Sequence, residues 1–284
     1  ARLGRTVRTA LLYVFTIALS LMFVFPFFWS VSSSLKTPVE LIDYPPRLFP
    51  KVPNWSSYSE AFTVIPFGRF VTNTLIITAL SLVGQIVSAL LVAYGFARFT
   101  FPLKGAIFAL CLSTMILPIH VTIIPLFVIF RNLKWINTWR PLIVPSYFGG
   151  GAFTIFLLRQ FIMTLPIDLD EAALIDGSGR LGILLKIILP NAGPVLATVA
   201  VFTFMGNWNS FLGPLIFLND KEKFPISLGL WYLKQTPGTP GLPRDNVLMA
   251  GSVMATLPIV ILFFRRRLFS LARDEWRWIE RSPF

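Results

Sequence analysis

The chain has 284 residues, of which 55% are hydrophobic and only 13% are charged, and its formal net charge is +12. This apolar composition excludes an ordinary soluble domain and indicates a protein whose main solvent is lipid. The basic residues stand singly between long uncharged runs. Their scatter excludes the clustered basic face of a nucleic-acid-binding protein and favours contact with anionic lipid headgroups.

Six segments are apolar over the roughly 20 residues that a helix needs to cross the hydrocarbon core of a bilayer. They comprise residues 9–31, 71–97, 106–130, 141–162, 193–218 and 247–264. The sequence therefore predicts an all-α membrane protein with six transmembrane helices, forming a single domain over residues 1–284.

Basic residues near the ends of the spans orient the predicted bundle. Three arginines precede the first span and three follow the sixth: Arg2, Arg5, Arg8, Arg265, Arg266 and Arg267. We therefore expect both termini in the cytoplasm, together with the loop of residues 163–192. The linkers of residues 32–70 and 219–246 are then expected on the outer, extracytoplasmic side, where their proline-rich stretches YPPRLFP and TPGTPGLP favour extended or turn structure over helix.

The predicted spans contain no Asp, Glu or Lys, and Arg159 lies near the cytoplasmic end of the fourth. His120 lies deeper, between two prolines, and is interpreted either as a packing residue in a broken helix or, less favoured, as a relay or ligand. A transporter driven by protons or sodium ions usually carries ionisable groups at membrane depth. The sequence also lacks a G-x-x-x-x-G-K-[ST] phosphate loop. We therefore expect any transport energy to come from a separate subunit.

The cytoplasmic loop has the pattern of two short helices joined by glycine. Asp168 followed by Glu171 predicts a capping box, and Gly177 predicts a left-handed helix end. Four apolar residues recur at helical spacing beyond that glycine: Leu181, Leu184, Leu185 and Ile188. They predict a second helix with one apolar face, which Pro190 ends. Both helices are expected to lie along the membrane interface.

The spacing in this loop resembles a motif of the membrane permease subunits of binding-protein-dependent ABC importers. The family motif reads E-A-A, three residues, G, nine residues, I-x-L-P, and the matching residues are Glu171, Ala172, Ala173, Gly177, Ile187, Leu189 and Pro190. The resemblance implies that residues 163–192, the coupling loop, dock into a cleft of an ATPase subunit. Asp176 joins this docking set. Helix capping and solvation are the alternative role of Glu171 and Asp176.

Shorter stretches outside the loop resemble the carbohydrate branch of the family, in particular the smaller permease of the maltose type. They include SSLK, NTLIIT, AYGFAR, MILP, WNSFLGPL and LMAGSVMATLPIVILFF. The resemblance implies import of a sugar or oligosaccharide across a prokaryotic inner or plasma membrane. It gives this chain no catalytic residue, metal or cofactor, because ATP and Mg are bound by the ATPase.

The resemblance also implies partners. They are a second homologous permease, two ATPase subunits and an extracytoplasmic solute-binding protein, against which the linker of residues 219–246 inserts. The ending RRRLFSLARDEWRWIERSPF departs from the short glycine-containing tail of the family, so no tail contacts are transferred.

Polar and aromatic residues stand together in the fifth span, in the stretch GNWNSF. At about 1.5 Å per residue, Trp208 lies about 22 Å along this span, which favours a role in packing or in an interfacial aromatic belt. The alternative is that these residues line the substrate path, with His120. The set comprises Asn207, Trp208, Asn209 and Phe211.

Two other functions stay open at this point. One is import of another solute, such as a glycerol-phosphate ester, although cationic residues are scarce in the spans and a strongly anionic ligand is disfavoured. The other is a membrane scaffold or passive channel that has no ATPase.

Overall fold

The computed structural model describes residues 2–236 and 244–261. This part of the chain is helical and contains no β-strand, as the sequence predicts. Its α-helices are α1 (Arg2–Ser34), α2 (Pro38–Ile42), α3 (Ser56–Val64), α4 (Phe67–Arg98), α5 (Lys104–Ser113), α6 (Ile119–Asn132), α7 (Arg140–Ile143), α8 (Ala152–Thr164), α9 (Asp168–Ile175), α10 (Arg180–Ile183), α11 (Leu189–Asn191), α12 (Gly193–Trp208), α13 (Leu212–Phe217), α14 (Ile226–Gln235) and α15 (Asp245–Ile261).

Three stretches of the described residues are long and apolar enough to cross a membrane as single candidate spans. They are Thr6–Ser34, Phe67–Arg98 and Arg140–Thr164. Two sharply bent pairs raise the number to five if each pair counts as one span: Lys104–Ile116 with Ile119–Asn132, bent by 99°, and Arg180–Asn191 with Gly193–Trp208, bent by 77°. The described part of α15 is shorter, so the count of six spans stays a prediction.

The third, fourth and fifth predicted spans are interrupted, which the sequence analysis did not expect of the last two. Pro118 lacks a backbone N–H and stands before the first turn of α6, where the third span turns. Gly149, Gly150 and Gly151 all have positive φ and separate α7 from α8. The fifth span ends as a helix at Trp208 and does not continue to residue 218, because a turn precedes α13.

Helix α4 supplies hydrogen bonds to the interrupted fourth span. The Ser81 hydroxyl donates to the Leu142 carbonyl at 3.2 Å, and the Ser88 hydroxyl donates to the Ser146 carbonyl at 2.9 Å. A carbonyl outside a regular helix needs such a partner in hydrocarbon, where water is absent. The break is therefore stabilised by its neighbour.

Small residues let α4 approach this segment closely. A Cβ added to Gly84 would lie 2.4 Å from the ring of Tyr147, and one added to Gly150 would lie 2.6 Å from the carbonyl oxygen of Gln85. Neither site has room for a methyl group. These contacts are the small-residue packing expected between membrane helices.

The contacts divide the chain into two compact units. The central unit is Arg69–Leu228, and the terminal unit comprises the chain up to Gly68 and from Gly229 onward. The single domain over residues 1–284 stays a prediction.

In the terminal unit, the linker after α1 is ordered around two buried charges. Lys36 donates from Nζ to the Arg47 carbonyl at 2.6 Å, and burial lowers the pKa of this amine. The Glu40 carboxylate accepts from the backbone N–H groups of Thr37 and Lys51, each at 3.0 Å. The bond from Thr37 is the main reason that the pKa of Glu40 is lowered. Thr37 and Glu40 form a capping box at the start of α2.

The two outer linkers are more helical than their prolines suggest. The first contains α2 and α3, and the second contains α14. The YPPRLFP stretch, residues 44–50, is non-helical as predicted. The stretch TPGTPGLP spans residues 236–243, and all of it after Thr236 lies outside the described part of the chain, as do the arginines at 265–267 and the C-terminal tail.

Candidate functional site

The coupling loop begins with α9, and the predicted capping box at its start is wrong. Asp168 is the first helical residue, and its side chain makes no capping hydrogen bond. The carbonyl of Ile167 already accepts the N–H groups of Asp170 at 2.9 Å and Glu171 at 3.1 Å. These are the donors that an N-cap side chain at position 168 would have bound.

The predicted end of α9 is confirmed. Gly177 has φ 81°, a left-handed conformation that favours glycine. Its N–H donates to the Leu174 carbonyl at 3.0 Å, and the N–H of Ser178 donates to the Ala173 carbonyl at 2.8 Å. This pair of bonds is a Schellman motif, and it lets the chain reverse within two residues.

The two faces of α9 differ in what they contact. Asp170 and Ala173 are buried against the central unit. Glu171, Ala172 and Asp176 are exposed on this chain. Ala173, assigned from sequence to the docking set, thus packs inward and leaves the exposed surface to its neighbours.

The second helix of the loop buries a different face from the one predicted. Ile183, Leu184 and Ile188 are buried, whereas Leu181 and Leu185 are 61% and 51% exposed. The buried positions 183, 184 and 188 still follow helical spacing, but on a face turned away from the predicted one, because Ile183 packs in the core in place of Leu181. Residues Leu184–Ile188 form a π-helical turn. Of the remaining motif residues, Ile187 and Leu189 are half-buried and Pro190 is exposed.

A buried ion pair fixes α9 to α4. The Arg98 Nε lies 3.0 Å from an Asp170 carboxylate oxygen, and these side chains are 6% and 3% exposed. Arg98 also donates from Nη2 to the Leu165 carbonyl at 2.9 Å. Tyr94, one turn earlier, donates from its hydroxyl to the Arg180 carbonyl at 3.3 Å. Removing one partner of a buried ion pair costs about 3–5 kcal/mol, because the other charge is left uncompensated.

The opposite end of α4 holds the segment that precedes α14. The Asn73 amide donates to the carbonyls of Glu222 at 2.8 Å and Phe224 at 3.0 Å, and Thr74 accepts the N–H of Ile226 at 2.8 Å. A rise of 1.5 Å per residue separates Asn73 from Arg98 by about 37 Å. The coupling loop and the start of the second outer linker therefore lie at opposite ends of one membrane-length helix.

Between these two ends, the central unit contains an open cavity of about 630 Å³. Polar uncharged groups in its wall include Gln85, Thr114, Thr154, Thr203 and Asn207. The Gln85 amide donates to the Thr154 hydroxyl at 2.7 Å and joins α4 to α8. None of the described residues that line the cavity carries a charge.

Asn207 is the residue of the predicted substrate path that lines this cavity, and it also lines a second cavity of about 250 Å³. Trp208 is buried and stacks on Phe204 with ring centroids 5.2 Å apart, so its indole contributes packing. The Asn209 amide donates to the Met205 carbonyl at 2.9 Å within its own helix. Phe211 is half-buried in the turn that follows.

His120 is exposed on this chain and lies in the first turn of α6. Its neighbour Ile119 lines the second cavity. Sequence patterns did not predict three of the lining residues: Gln85, Thr154 and Thr203. The available signal was Gln85, the one amide in the stretch SLVGQIVSAL, because an amide at membrane depth requires a polar partner.

The chain belongs to the family of binding-protein-dependent transport system inner membrane components, which it matches over residues 85–270. The matched region includes the coupling loop and all the described residues that line the larger cavity. The protein is therefore a multi-pass transport component of a prokaryotic inner or plasma membrane.

Individual relatives are similar over most of their length. The diacetylchitobiose uptake system permease protein NgcG of Streptomyces coelicolor is 31% identical, with 91% of this chain and 85% of the relative covered. The sn-glycerol-3-phosphate transport system permease protein UgpE of Yersinia pestis is 30% identical, with 88% and 90% covered.

The fold is also that of a solved permease. A chain in the crystal structure of a bacterial ABC transporter involved in the import of the acidic polysaccharide alginate superposes with a TM-score of 0.81. The match covers 94% of this chain and 96% of that one at 22% identity. The central and terminal helices thus adopt an ABC permease fold.

Proposed function

We propose that this chain is the transmembrane permease subunit of an ATP-driven importer of a sugar or oligosaccharide. The observation that carries the proposal is the anchoring of a complete E-A-A…G…I-x-L-P loop to α4, the same helix that walls an uncharged polar cavity. The exposed residues of α9 supply a docking face, and the cavity supplies a path.

The architecture of the working importer follows from the family motif. Six transmembrane helices with both termini in the cytoplasm place the coupling loop beneath the membrane. Two ATPase subunits, which bind ATP and Mg, dock there, and a second homologous permease completes the path. A solute-binding protein delivers the solute from outside and contacts the linker of residues 219–246.

The transport cycle requires that the ATPases bind the coupling loop differently in their two states, because a ligand shifts an equilibrium only by its differential affinity. Closing of the ATPases on ATP moves α9 and opens the path outward. ATP hydrolysis resets it. This chain performs no hydrolysis of its own.

The cavity favours a neutral carbohydrate. Amide and hydroxyl groups such as those of Gln85, Thr154 and Asn207 bond sugar hydroxyls, and the adjoining rings of Phe153 and Phe202 offer apolar surface. The relative from Streptomyces is named for an uncharged disaccharide.

The second candidate is import of a glycerol-phosphate ester, because UgpE is a relative of comparable identity. A phosphate usually binds to Arg, Lys or a cluster of backbone N–H groups. The absence of charge among the described lining residues favours the neutral solute.

The test is purification of the tagged chain from its native membrane, followed by uptake assays on the recovered complex in vesicles. We expect a nucleotide-binding subunit and a second permease to copurify, and ATP-driven uptake of neutral oligosaccharides in preference to glycerol 3-phosphate. A complex without a nucleotide-binding subunit contradicts the proposal and favours a scaffold or passive channel. Preferred uptake of the phosphate ester supports the second candidate.

A further inference from the structure

We propose that the buried Arg98–Asp170 pair is the joint through which the coupling loop moves the cavity wall. Arg98 and Asp170 are then positioning residues for transport, and neither contacts the solute or the nucleotide. The inference rests on the proposed function, because it assigns a role within an ATP-driven cycle.

The Arg98–Asp170 pair binds α9 to its neighbours more firmly than a surface ion pair does. Both side chains are almost fully buried, whereas the side chains of the other ion pairs in the described part of the chain are at least 30% exposed. Separating two buried opposite charges leaves each without solvation. A displacement of α9 is therefore followed by α4.

Two other arginines lie at this end of the central unit and are the cations that could compete with Arg98 for Asp170. Arg159 donates to the Phe96 carbonyl at 3.3 Å and lies 4.4 Å from the Phe108 ring centre. Arg180 lies 5.7 Å from the Phe99 ring centre. Both cations are engaged elsewhere, so the carboxylate is matched to Arg98.

Arg98, at the end of α4, contacts two other parts of the central unit at once. Its Nε faces Asp170 in α9, and its Nη2 donates to the carbonyl of Leu165, which directly follows α8. One guanidinium thus fixes the corner between α8 and α9 to the end of α4. A planar cation with several donors suits this task better than a lysine.

Helices α4 and α8, which Arg98 holds together, both reach the cavity. Gln85 lies 13 residues before Arg98 on the unbroken α4, or about 20 Å at 1.5 Å per residue. Its amide donates to Thr154, in the first turns of α8. The polar wall and the Arg98–Asp170 pair thus lie about 20 Å apart along the same pair of helices, so movement at one changes the other.

The test compares Asp170→Asn with Asp43→Asn in the full complex, reconstituted in vesicles. The two variants remove the same charge, but Asp43 lies in the linker after α1, outside the docking face, and its pair with Arg47 is 3.7 Å long and partly exposed. Uptake and ATP hydrolysis are measured together, with copurification of the ATPase as a check on assembly. We expect Asp170→Asn to retain the ATPase and its hydrolysis while uptake per ATP falls at least tenfold. Asp43→Asn is expected to stay within twofold of the natural protein.

Two further variants distinguish a joint from a general structural need. The exchange Arg98→Asp with Asp170→Arg restores opposite charges and is expected to recover uptake per ATP. The apolar pair Arg98→Met with Asp170→Leu keeps volume without charge and is expected to assemble but remain uncoupled.

Three results overturn the inference. They are uptake per ATP within twofold of the natural value in Asp170→Asn, unimpaired coupling in the apolar pair, and loss of assembly in every pair variant including the exchange. If the natural complex shows no ATP-driven uptake, the proposed function fails and the joint fails with it. If only the variants behave like the natural protein, the joint alone is wrong.

Discussion

Asn207 lines both of the cavities described above. It stands in the last turn of α12, beside the buried Trp208. An amide in that position offers a donor and an acceptor to a passing hydroxyl. The neighbouring Asn209 resembles it in sequence but uses its amide to bond Met205.

We predict that Asn207→Leu lowers uptake of the neutral oligosaccharide about tenfold, because the substitution removes two hydrogen-bonding groups from the path. The assembled complex is expected in normal yield. The measurement is the initial uptake rate in vesicles at fixed ATP.

Asn209→Leu provides the comparison, and an effect of less than twofold is expected. Equal losses in both variants would support the sequence interpretation that both asparagines line the path.

Ala172 and Ala173 are adjacent residues with opposite surroundings. We predict that Ala172→Cys reacts with a short bifunctional reagent and captures an ATPase subunit, because its side chain is exposed on α9. Ala173→Cys is expected to capture none, because position 173 is buried. The native Cys111 is first replaced by alanine, and the products are identified by mass spectrometry. Capture from position 173 alone would contradict the assignment of the docking face.

At the scale of elements, α4 combines close packing with a polar stripe. Ser81, Gly84, Gln85 and Ser88 share one face at helical spacing and contact the interrupted segment of residues 140–154. Gly84 permits the close approach. The hydroxyls of Ser81 and Ser88 and the amide of Gln85 donate hydrogen bonds across the contact. This face keeps a broken helix at membrane depth.

We predict that Gly84→Ala destabilises the protein by about 1–3 kcal/mol, the usual cost of overpacking a close contact. The added methyl group would press on the Tyr147 ring and on the Ser146 hydroxyl, 2.8 Å away. Gly95→Ala is the matched control in the same helix, since its Cβ meets nothing closer than Phe99 at 4.0 Å. Thermal unfolding in detergent measures both, and equal Tm values would contradict the packing argument.

At the scale of the whole molecule, α4 connects two distant ends of the described central unit. The Arg98–Asp170 ion pair and the hydrogen bonds of Asn73 are about 37 Å apart by helical rise. This separation is comparable to the thickness of a bilayer with part of its headgroup region. We therefore expect the coupling loop and the segment before α14 on opposite sides of the membrane.

We predict opposite accessibility for two exposed positions, Asp176 in the coupling loop and Lys221 before α14. A membrane-impermeant maleimide is expected to label Lys221→Cys in intact cells, after the outer membrane has been opened if one is present. Asp176→Cys is expected to react only after the inner membrane is opened. Labelling of both from one side would contradict the predicted topology.

The sequence alone predicted the helical class, the apolar segments and the end of α9 at Gly177. These depend on local composition and on a conformation that glycine adopts readily. It did not predict the interruptions near Gly149 and Trp208, because broken membrane helices depend on neighbours that bond their carbonyls.

Tertiary contacts also explain why some predictions from local sequence were wrong or missing. The spacing of Asp168 and Glu171 matches a capping box, but none forms at the start of α9. A different capping box forms at Thr37 and Glu40, where the Glu40 carboxylate also accepts the backbone N–H of Lys51. The partners of Asp170 and Gln85 lie 72 and 69 residues away in sequence, too far for periodicity to connect them.

The interrupted fourth span constrains how the protein is synthesised. Its mean hydropathy is 1.5, against 2.4 for α4. The carbonyls of Leu142 and Ser146 accept hydrogen bonds from the hydroxyls of Ser81 and Ser88. Emerging alone from the translocon, this segment would bring unsatisfied polar groups into lipid. Because α4 precedes the fourth span along the chain, its hydroxyl donors are already in the bilayer when the fourth span is inserted. The order of synthesis therefore allows a segment of low hydropathy to enter the membrane with its carbonyls hydrogen-bonded.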